Sequence, residues 1–340
     1  ELSAPARQYA HMSFIDLARE SLRMRGMPVT GISPAELITR SLHTTSDFSV
    51  ILGDAVGRTL RAAYQSAPSA LKQLGRETTA QDFRKRYKIM LGEAATLLEV
   101  PESGEYKRGS MAQAKESYAL KTYGRIFGIS RQALINDDLG AFSDLSARLG
   151  VAAAGFEAQT LVDLLVSNAG LGPSMDDGNT LFHASHHNIA GTDIPLIGDV
   201  DDALGALSDA RLAMRKQTGL SGSLIDVLPK FVLASPEQET AVERLLTQIN
   251  ATAVADVNPL AGKLTLVIEN RLTDARRWYL TADPARIDGL EYAYLAGAPG
   301  PQIATRNGFD VDGVETKVSL DFGCGFVEFR GWYTNSGVHG

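Results

Sequence analysis

Cysteine is almost absent from this sequence, with Cys324 the only one. That excludes an internal disulfide framework and a clustered cysteine metal site. Long apolar runs are missing as well. A membrane span needs roughly eighteen uninterrupted apolar residues; the nearest approach, Val151 to Ala154 with its flanks, is broken by Arg148, Glu157 and Asp163. Massed positive charge is also lacking. A net charge of −7 opposes tight, nonspecific DNA binding, because neutralising phosphates takes gathered Lys and Arg. No internal repeat, low-complexity segment or secretory signal can be read.

Catalytic signatures fail one after another. There is no P-loop, and Gly219-Leu-Ser221-Gly222-Ser223 misplaces the last glycine of a G-x-S-x-G elbow. Gly323-Cys324-Gly325 lacks the third glycine and following helix of a dinucleotide loop. Ser69-Ala-Leu-Lys72 fits S-x-x-K, but its companion S-D-N and K-T-G motifs are absent, Lys121-Thr122 being followed by Tyr123. Cys324, between Phe322 and Phe326, reads as a packed thiol.

The one metal-like cluster is His183-Ala-Ser-His186-His187, with Asp176, Asp177 and Asp193 as possible oxygen ligands. Imidazole with carboxylate suits zinc or another transition metal. The spacing is not HExxH, and histidines that pack a loop are the commoner case. The reading is therefore of a protein that is not an enzyme, with no catalytic residue, cofactor site or metal site. A metal-dependent hydrolase using His183, His186 and His187 stays open as an alternative.

What is present is a chain of 340 residues, 44% hydrophobic and 21% charged, enough for a sizeable core in two domains or one elaborated domain. Residues 1–75 read as short helices: one capped by Ser13 with Phe14, Leu17, Leu22 and Met24, one opened by Ser33-Pro34, and one from Asp47 to Tyr64. Between Arg76 and Ser130 the period changes to two. Phe83, Lys85, Tyr87 and Ile89 alternate with Arg84, Arg86 and Lys88, and a second run carries Tyr118, Leu120, Thr122 and Ile126. With Pro101 to Gly104 as a turn-rich excursion, the two runs make a long hairpin that is marginal alone and needs something to lie on.

The clearest helix follows Asp137-Asp138. Leu139, Phe142, Leu145, Leu149, Ala152, Phe156, Leu161, Leu164 and Leu165 form its apolar stripe to Ser167. Gly170 to Ile197 reads as loop. Then come a helix from Val200 to Gln217, a strand from Phe231 to Ala234, and a helix begun by Ser235-Pro236 through Val242, Leu245 and Ile249. Leu264 to Ile268 and Trp278 to Thr281 read as strands, and the tail returns to β through Val314 to Phe322 and Phe326 to Trp332. The fold class is α+β, with an α/β unit inside it.

Charge is unevenly spread. Arg76 to Arg125 has ten basic and seven acidic residues, a net of +3; Leu171 to Leu260 has five and twelve, a net of −7. In a homopolymer such segments steer copies onto one another.

The order helical arm, hairpin, spine helix, α/β insertion and returning β resembles the Hong Kong 97 fold of tailed-phage major capsid proteins. Tyr123-Gly-Arg-Ile-Phe-Gly-Ile-Ser-Arg-Gln-Ala-Leu-Ile-Asn-Asp-Asp138 is similar to that family's passage from hairpin to spine, and Ile129 to Asp138 is especially similar to the Mu-like prophage major head subunit. Leu181-Phe182-His183 with His186-His187-Asn188 resembles a second passage of that branch.

The resemblance implies an N-terminal arm over 1–75, an extended hairpin, or E-loop, within 76–130, a peripheral domain from 131–170 and 286–340, and an axial domain over 171–285. It implies pentamers and hexamers tiling an icosahedral shell around loosely held double-stranded DNA. Cement, portal and scaffolding proteins would be partners, and the shell would assemble in a bacterial host's cytoplasm without a membrane. Arg84, Arg86, Lys88, Lys107 and Arg108 would meet acidic surface on a neighbouring copy. Glu1 as first residue is open to two readings, a trimmed terminus or proteolytic maturation. An encapsulin-like compartment shares the fold and is the other alternative.

Overall fold

The computed structural model describes residues 14–33, 36–37, 40–41, 57–67, 69–91, 113–130, 139–220, 222–247, 262–308 and 313–337. These belong to two compact units, one drawn from 1–68, 121–156 and 296–322, the other from 69–120, 157–295 and 323–340. The expected features at Ser13, Pro34, residues 47–56, Asp137-Asp138, Ile249, Lys107 and Arg108 lie outside the described residues.

In the first unit, helix α1 (Phe14–Met24) has Ala18 and Leu22 buried, with an Asp16–Arg19 pair at 2.7 Å on its outer side. Ser33 opens the next helical turn, its Oγ accepting the Glu36 amide at 3.3 Å. Helix α2 is described over 57–66, with Leu60 buried. Strands β4 (Lys121–Ser130), β9 (Gln302–Gly308) and β10 (Gly313–Phe326) are antiparallel, β10 lying between the other two. Their register pairs Leu320 with Tyr123 and Val318 with both Arg125 and Ile303.

The second unit holds α3 (Ala70–Leu74), leading directly into β1 (Gly75–Ala80), which runs parallel to β8 (Leu290–Leu295). Ala80, Tyr118, Leu120, Ala293 and Val327 pack together there. The unit's larger core surrounds a mixed sheet in the order β11 (Trp332–Asn335), β7 (Trp278–Ala282), β5 (Pro229–Ala234), β6 (Thr265–Ile268). Every residue of β7 is buried, as expected of a central strand covered on both faces. Helix α5 (Val200–Arg215) turns Ala203, Ala206, Leu207, Ala210 and Met214 inward, and α6 (Glu239–Leu246) contributes Val242 and Leu245. Trp278 is fully buried and its indole N–H donates to the Ile194 carbonyl at 2.9 Å, so burial leaves that donor satisfied.

The long helix α4 (Leu139–Gly170) is where the sequence placed it, and of the expected stripe Leu161 and Leu165 are buried while Ala152 and Phe156 are not. Phe156 is 38% exposed and Val151 53%, while Gly150, Ala154, Glu157, Ala158, Leu161, Val162 and Leu165 are buried. The buried face also takes in the carboxylate Glu157, whose cation, Lys72, comes from far away in sequence. Regular geometry ends at Ser167; Asn168 and Ala169 adopt left-handed φ values of 51° and 58°. Ser146–Gly170 has the length and apolar composition of a membrane span, yet its Glu157, Leu161 and Leu165 are fully buried.

Gly150 sets how closely α4 and α2 approach. A Cβ there would press onto the Leu60 carbonyl oxygen and lie 3.0 Å from both the Ala63 Cβ and the Tyr64 nitrogen. Helix propensity alone favours alanine by about 0.5–1 kcal/mol, but forcing a methyl between two backbones costs about 1–3 kcal/mol. Gly150→Ala is therefore expected to destabilise the subunit, read as a lower urea midpoint.

Three further differences have local causes. The first period-two run is a strand only from Arg86, in β2 (Arg86–Leu91), the chain bending over 81–84. The second run starts on the last residue of β3 (Gln113–Tyr118) and lies mainly in β4, the two strands being separated at Ala119 and Leu120. Phe326 to Trp332 is not a strand. The Glu328 carboxylate accepts the amides of Phe329 (2.9 Å) and Arg330 (3.1 Å) and pairs with the Arg330 guanidinium, folding the segment into a turn before β11.

Candidate assembly surfaces

Strands β2 and β3 pair antiparallel, in register from Arg86 opposite Tyr118 to Leu91 opposite Gln113, so the first expected run pairs with residues before the second run, whose larger part pairs β10 instead. Its base is fastened to its own unit by a group of carboxylates and cations. Glu291 on β8 is 4% exposed and accepts Tyr118 Oη at 2.5 Å and Lys88 Nζ at 2.9 Å. Lys88 also lies 2.9 Å from Asp288. The Arg86 guanidinium donates to Thr78 Oγ1 at 2.8 Å. Burial and the hydrogen bond to the Glu291 carboxylate push the Tyr118 hydroxyl well above the usual phenol range, so it stays protonated and donating. On β3, Glu116 accepts the Asp176 amide at 3.0 and 3.2 Å; its pKa is raised by burial, which outweighs that hydrogen bond.

The five hairpin cations thus divide. Arg86 and Lys88 face oxygen partners on their own chain, so the base of the hairpin does find something to lie on at home. Arg84 stays at the surface, its side chain 90% exposed and only 3.8 Å from Asp82. Phe83 and Tyr87 are 47% and 55% exposed, leaving apolar area on the hairpin uncovered. Lys115 Nζ lies 3.8 Å from the centre of the Tyr87 ring, a cation–π contact across the two strands.

The histidine loop is packed rather than open. His186 is 4% exposed and stacks on Phe329 with ring centres 3.9 Å apart. Its Nδ1 lies 3.0 Å from the Leu181 carbonyl oxygen and its Nε2 lies 2.7 Å from Asp177. The His183 ring bonds Ser185 at 2.7 Å, and His187 holds a left-handed φ of 52°. Asn188, fully buried, donates to the Leu181 carbonyl at 2.8 Å and accepts the His183 amide at 3.1 Å. Among the described residues no three His, Cys, Asp or Glu side chains are placed to hold a metal ion. The hydrolase alternative has no geometric support among them, since both ring nitrogens of His186 already face oxygen partners.

Asp177 carries a pH prediction. Burial raises its pKa, but the bonds from His186 and Asn179 outweigh that and pull it from 3.8 to about 2. With the folded value below the unfolded one, its contribution is whole above about pH 4 and is lost as pH falls toward 2. Asp177→Asn is expected to remove that part of the acid dependence, read from urea midpoints across the same range.

The remaining sequence candidates are also accounted for. Lys72 Nζ is paired with the fully buried Glu157 and lies 3.0 Å from Tyr294 Oη, so S-x-x-K is a structural anchor here. Burial pushes the Cys324 thiol up to about 12, leaving almost no thiolate at neutral pH.

A sequence profile of the family described as phage capsid protein matches residues 113–335, well over half of the 340. The chain belongs to that family. Solved structures similar to this capsid protein include the capsid of the cyanophage P-SCSP1u, at 13% identity and a TM-score of 0.55, covering 81% of this chain and 89% of that one. A structure from Mycobacterium phage Che8 follows at 12% identity and a TM-score of 0.51, covering 80% and 93%. The holo-SrpI encapsulin of Synechococcus elongatus is also similar, at 12% identity and a TM-score of 0.48, covering 80% and 89%. A search of curated protein sequences finds no match. The capsid protein has an α+β, Hong Kong 97-like fold and a shell-forming structural role.

Proposed function

We propose that this capsid protein is the major head subunit of a tailed phage, assembling as pentamers and hexamers into an icosahedral shell around double-stranded DNA. The observation that carries the reading is the family match across both the spine helix and the mixed-sheet core. In this reading the arm covers 1–75, the E-loop lies within 76–130, the peripheral domain takes 131–170 and 286–340, and the axial domain takes 171–285. The wording of Ile129 to Asp138 supports a place in the Mu-like branch.

The hairpin lies across a neighbouring copy, with Arg84, Lys107 and Arg108 toward acidic surface and Phe83 and Tyr87 supplying apolar contact. Arg86 and Lys88 fix the angle at which it leaves its own unit. Each exposed ion pair contributes about 0–1 kcal/mol, so cohesion comes from area and multiplicity. A net charge of −7 holds packaged DNA loosely. Cement, portal and scaffolding proteins complete the particle, formed in the host cytoplasm and persisting as the virion shell.

Electron microscopy of the purified protein tests this: closed, icosahedral shells are expected. Particles that co-purify with an enzyme cargo instead of accepting DNA would point to an encapsulin-like compartment. A monomer at every concentration and ionic strength would overturn both.

A further inference from the structure

Helix α5 carries opposite charges at its two ends, and at each end some of those charges have no countercharge at ion-pair distance among the described residues. At the start, Asp199 caps the helix, its carboxylate accepting the amides of Asp201 at 2.9 Å and Asp202 at 3.2 Å. The carboxylates of Asp201 and Asp202 are exposed and have no partner among the described residues. Beside them Ile197 is 40% and Val200 56% exposed. This end is an apolar knob with an acidic edge.

At the far end, Arg211 and Arg215 border a cavity of about 580 Å³ whose apolar wall is Leu228, Pro229 and Leu264. Lys230, Lys263, Arg286 and a single carboxylate, Asp283, complete its rim. Arg215 pairs with Asp226 at 3.0 Å and Lys230 with Asp283 at 2.6 Å. Arg211, Lys263 and Arg286 have no carboxylate at ion-pair distance among the described residues. The helix dipole favours acids in the first turn and bases in the last. It does not bring Lys263 and Arg286, which stand on other elements, to the same cavity.

Ten residues separate Asp201 from Arg211, about 15 Å along a rigid helix, so the acidic end cannot reach the basic cavity of its own chain. Another copy can. We infer that the acidic start of α5 in one copy seats in the basic cavity at the end of α5 in the next. This rests on the shell-building reading and names a surface for it. Ile197 and Val200 meet Leu228, Pro229 and Leu264, while Asp201 and Asp202 face Arg211, Lys263 and Arg286. An apolar centre with a charged rim is the composition of a specific interface. The contact joins two different patches, so it repeats head to tail and closes into rings.

Charge reversal tests it. Arg211→Glu with Arg286→Glu makes both ends acidic; Asp201→Lys with Asp202→Lys makes both basic. Each double variant alone is expected to lose roughly tenfold or more of its ring and particle yield, because like charges then meet at every contact. Unchanged thermal midpoints of the isolated subunits show that both remain folded. A chain carrying all four reversals regains assembly. Mixed one to one, the two doubles can only alternate around a ring, so native mass spectrometry should return hexamers without pentamers.

Should a reversal not fold, Arg286→Gln and Asp201→Asn are each expected to flatten the salt dependence of assembly. Wild-type yield and salt dependence in the folded doubles, or in the two neutral variants, would overturn the inference while leaving the shell reading intact. Inorganic triphosphate filling the cavity of assembled rings without loosening them would overturn it as well. A wild-type chain that forms no ring at all would sink both readings together.

Discussion

Removing residues 92–110 from the hairpin leaves a folded subunit that no longer builds stable shells. The register brings Leu91 opposite Gln113, so the deletion leaves Met111 and Ala112 as a two-residue connection. Met111→Asn with Ala112→Gly then supplies the turn that such a short loop favours. The base of the hairpin keeps its fastening, because Lys88, Tyr118 and Glu116 all lie outside the deleted stretch and hold Glu291 and Asp176 as before. Circular dichroism and the urea midpoint of the subunit are therefore expected to stay near wild type. On the E-loop reading proposed above, what is lost is the part that would lie across a neighbouring copy. Shells of normal yield and heat resistance from the shortened protein would refute the E-loop assignment.

The second large effect is inside the subunit. Lys72→Ala removes the cation facing Glu157, whose side chain is fully buried on the spine helix. Tyr294 Oη, at 3.1 Å, remains as one hydrogen-bond donor to that carboxylate, which does not balance a whole charge. Leaving one member of a buried pair alone costs roughly 3–5 kcal/mol, a large share of the 5–15 kcal/mol that holds a typical domain together. The urea midpoint should fall accordingly. Adding Glu157→Leu in the Lys72→Met background removes both charges, and replacing a buried pair by apolar side chains is often neutral or stabilising. Recovery of most of the lost stability in the double variant is expected; no recovery would mean that the pair does more than neutralise itself.

Long, periodic elements were legible from the chain alone. Helices α4 and α5 and strands β5, β6 and β7 lie within about three residues of where apolar spacing put them. Leu290 to Leu295 and Gly75 to Ala80 went unread as strands, since Glu291, Arg76 and Glu77 break any apolar pattern. Glu291 is buried against Lys88 and Tyr118, which no local window around it contains. Glu157 fell outside the α4 stripe for the same reason, with Lys72 far along the chain. The His183 to His187 loop was legible as packing because it lacked metal spacing, but the Phe329 stacking partner lies far along the chain and left no local signal.

By itself the sequence determined the order of the long periodic elements, the lack of an internal disulfide and the likeness to phage capsid proteins, because these depend on spacing and residue type within short stretches. Tertiary structure alone decided which charges are internal and which face outward. Of the hairpin cations, Arg86 and Lys88 turned out to serve their own unit, and Arg84 did not. A charged side chain looks the same in sequence whether its counterion is a distant residue or another molecule, and only three-dimensional distance separates the two.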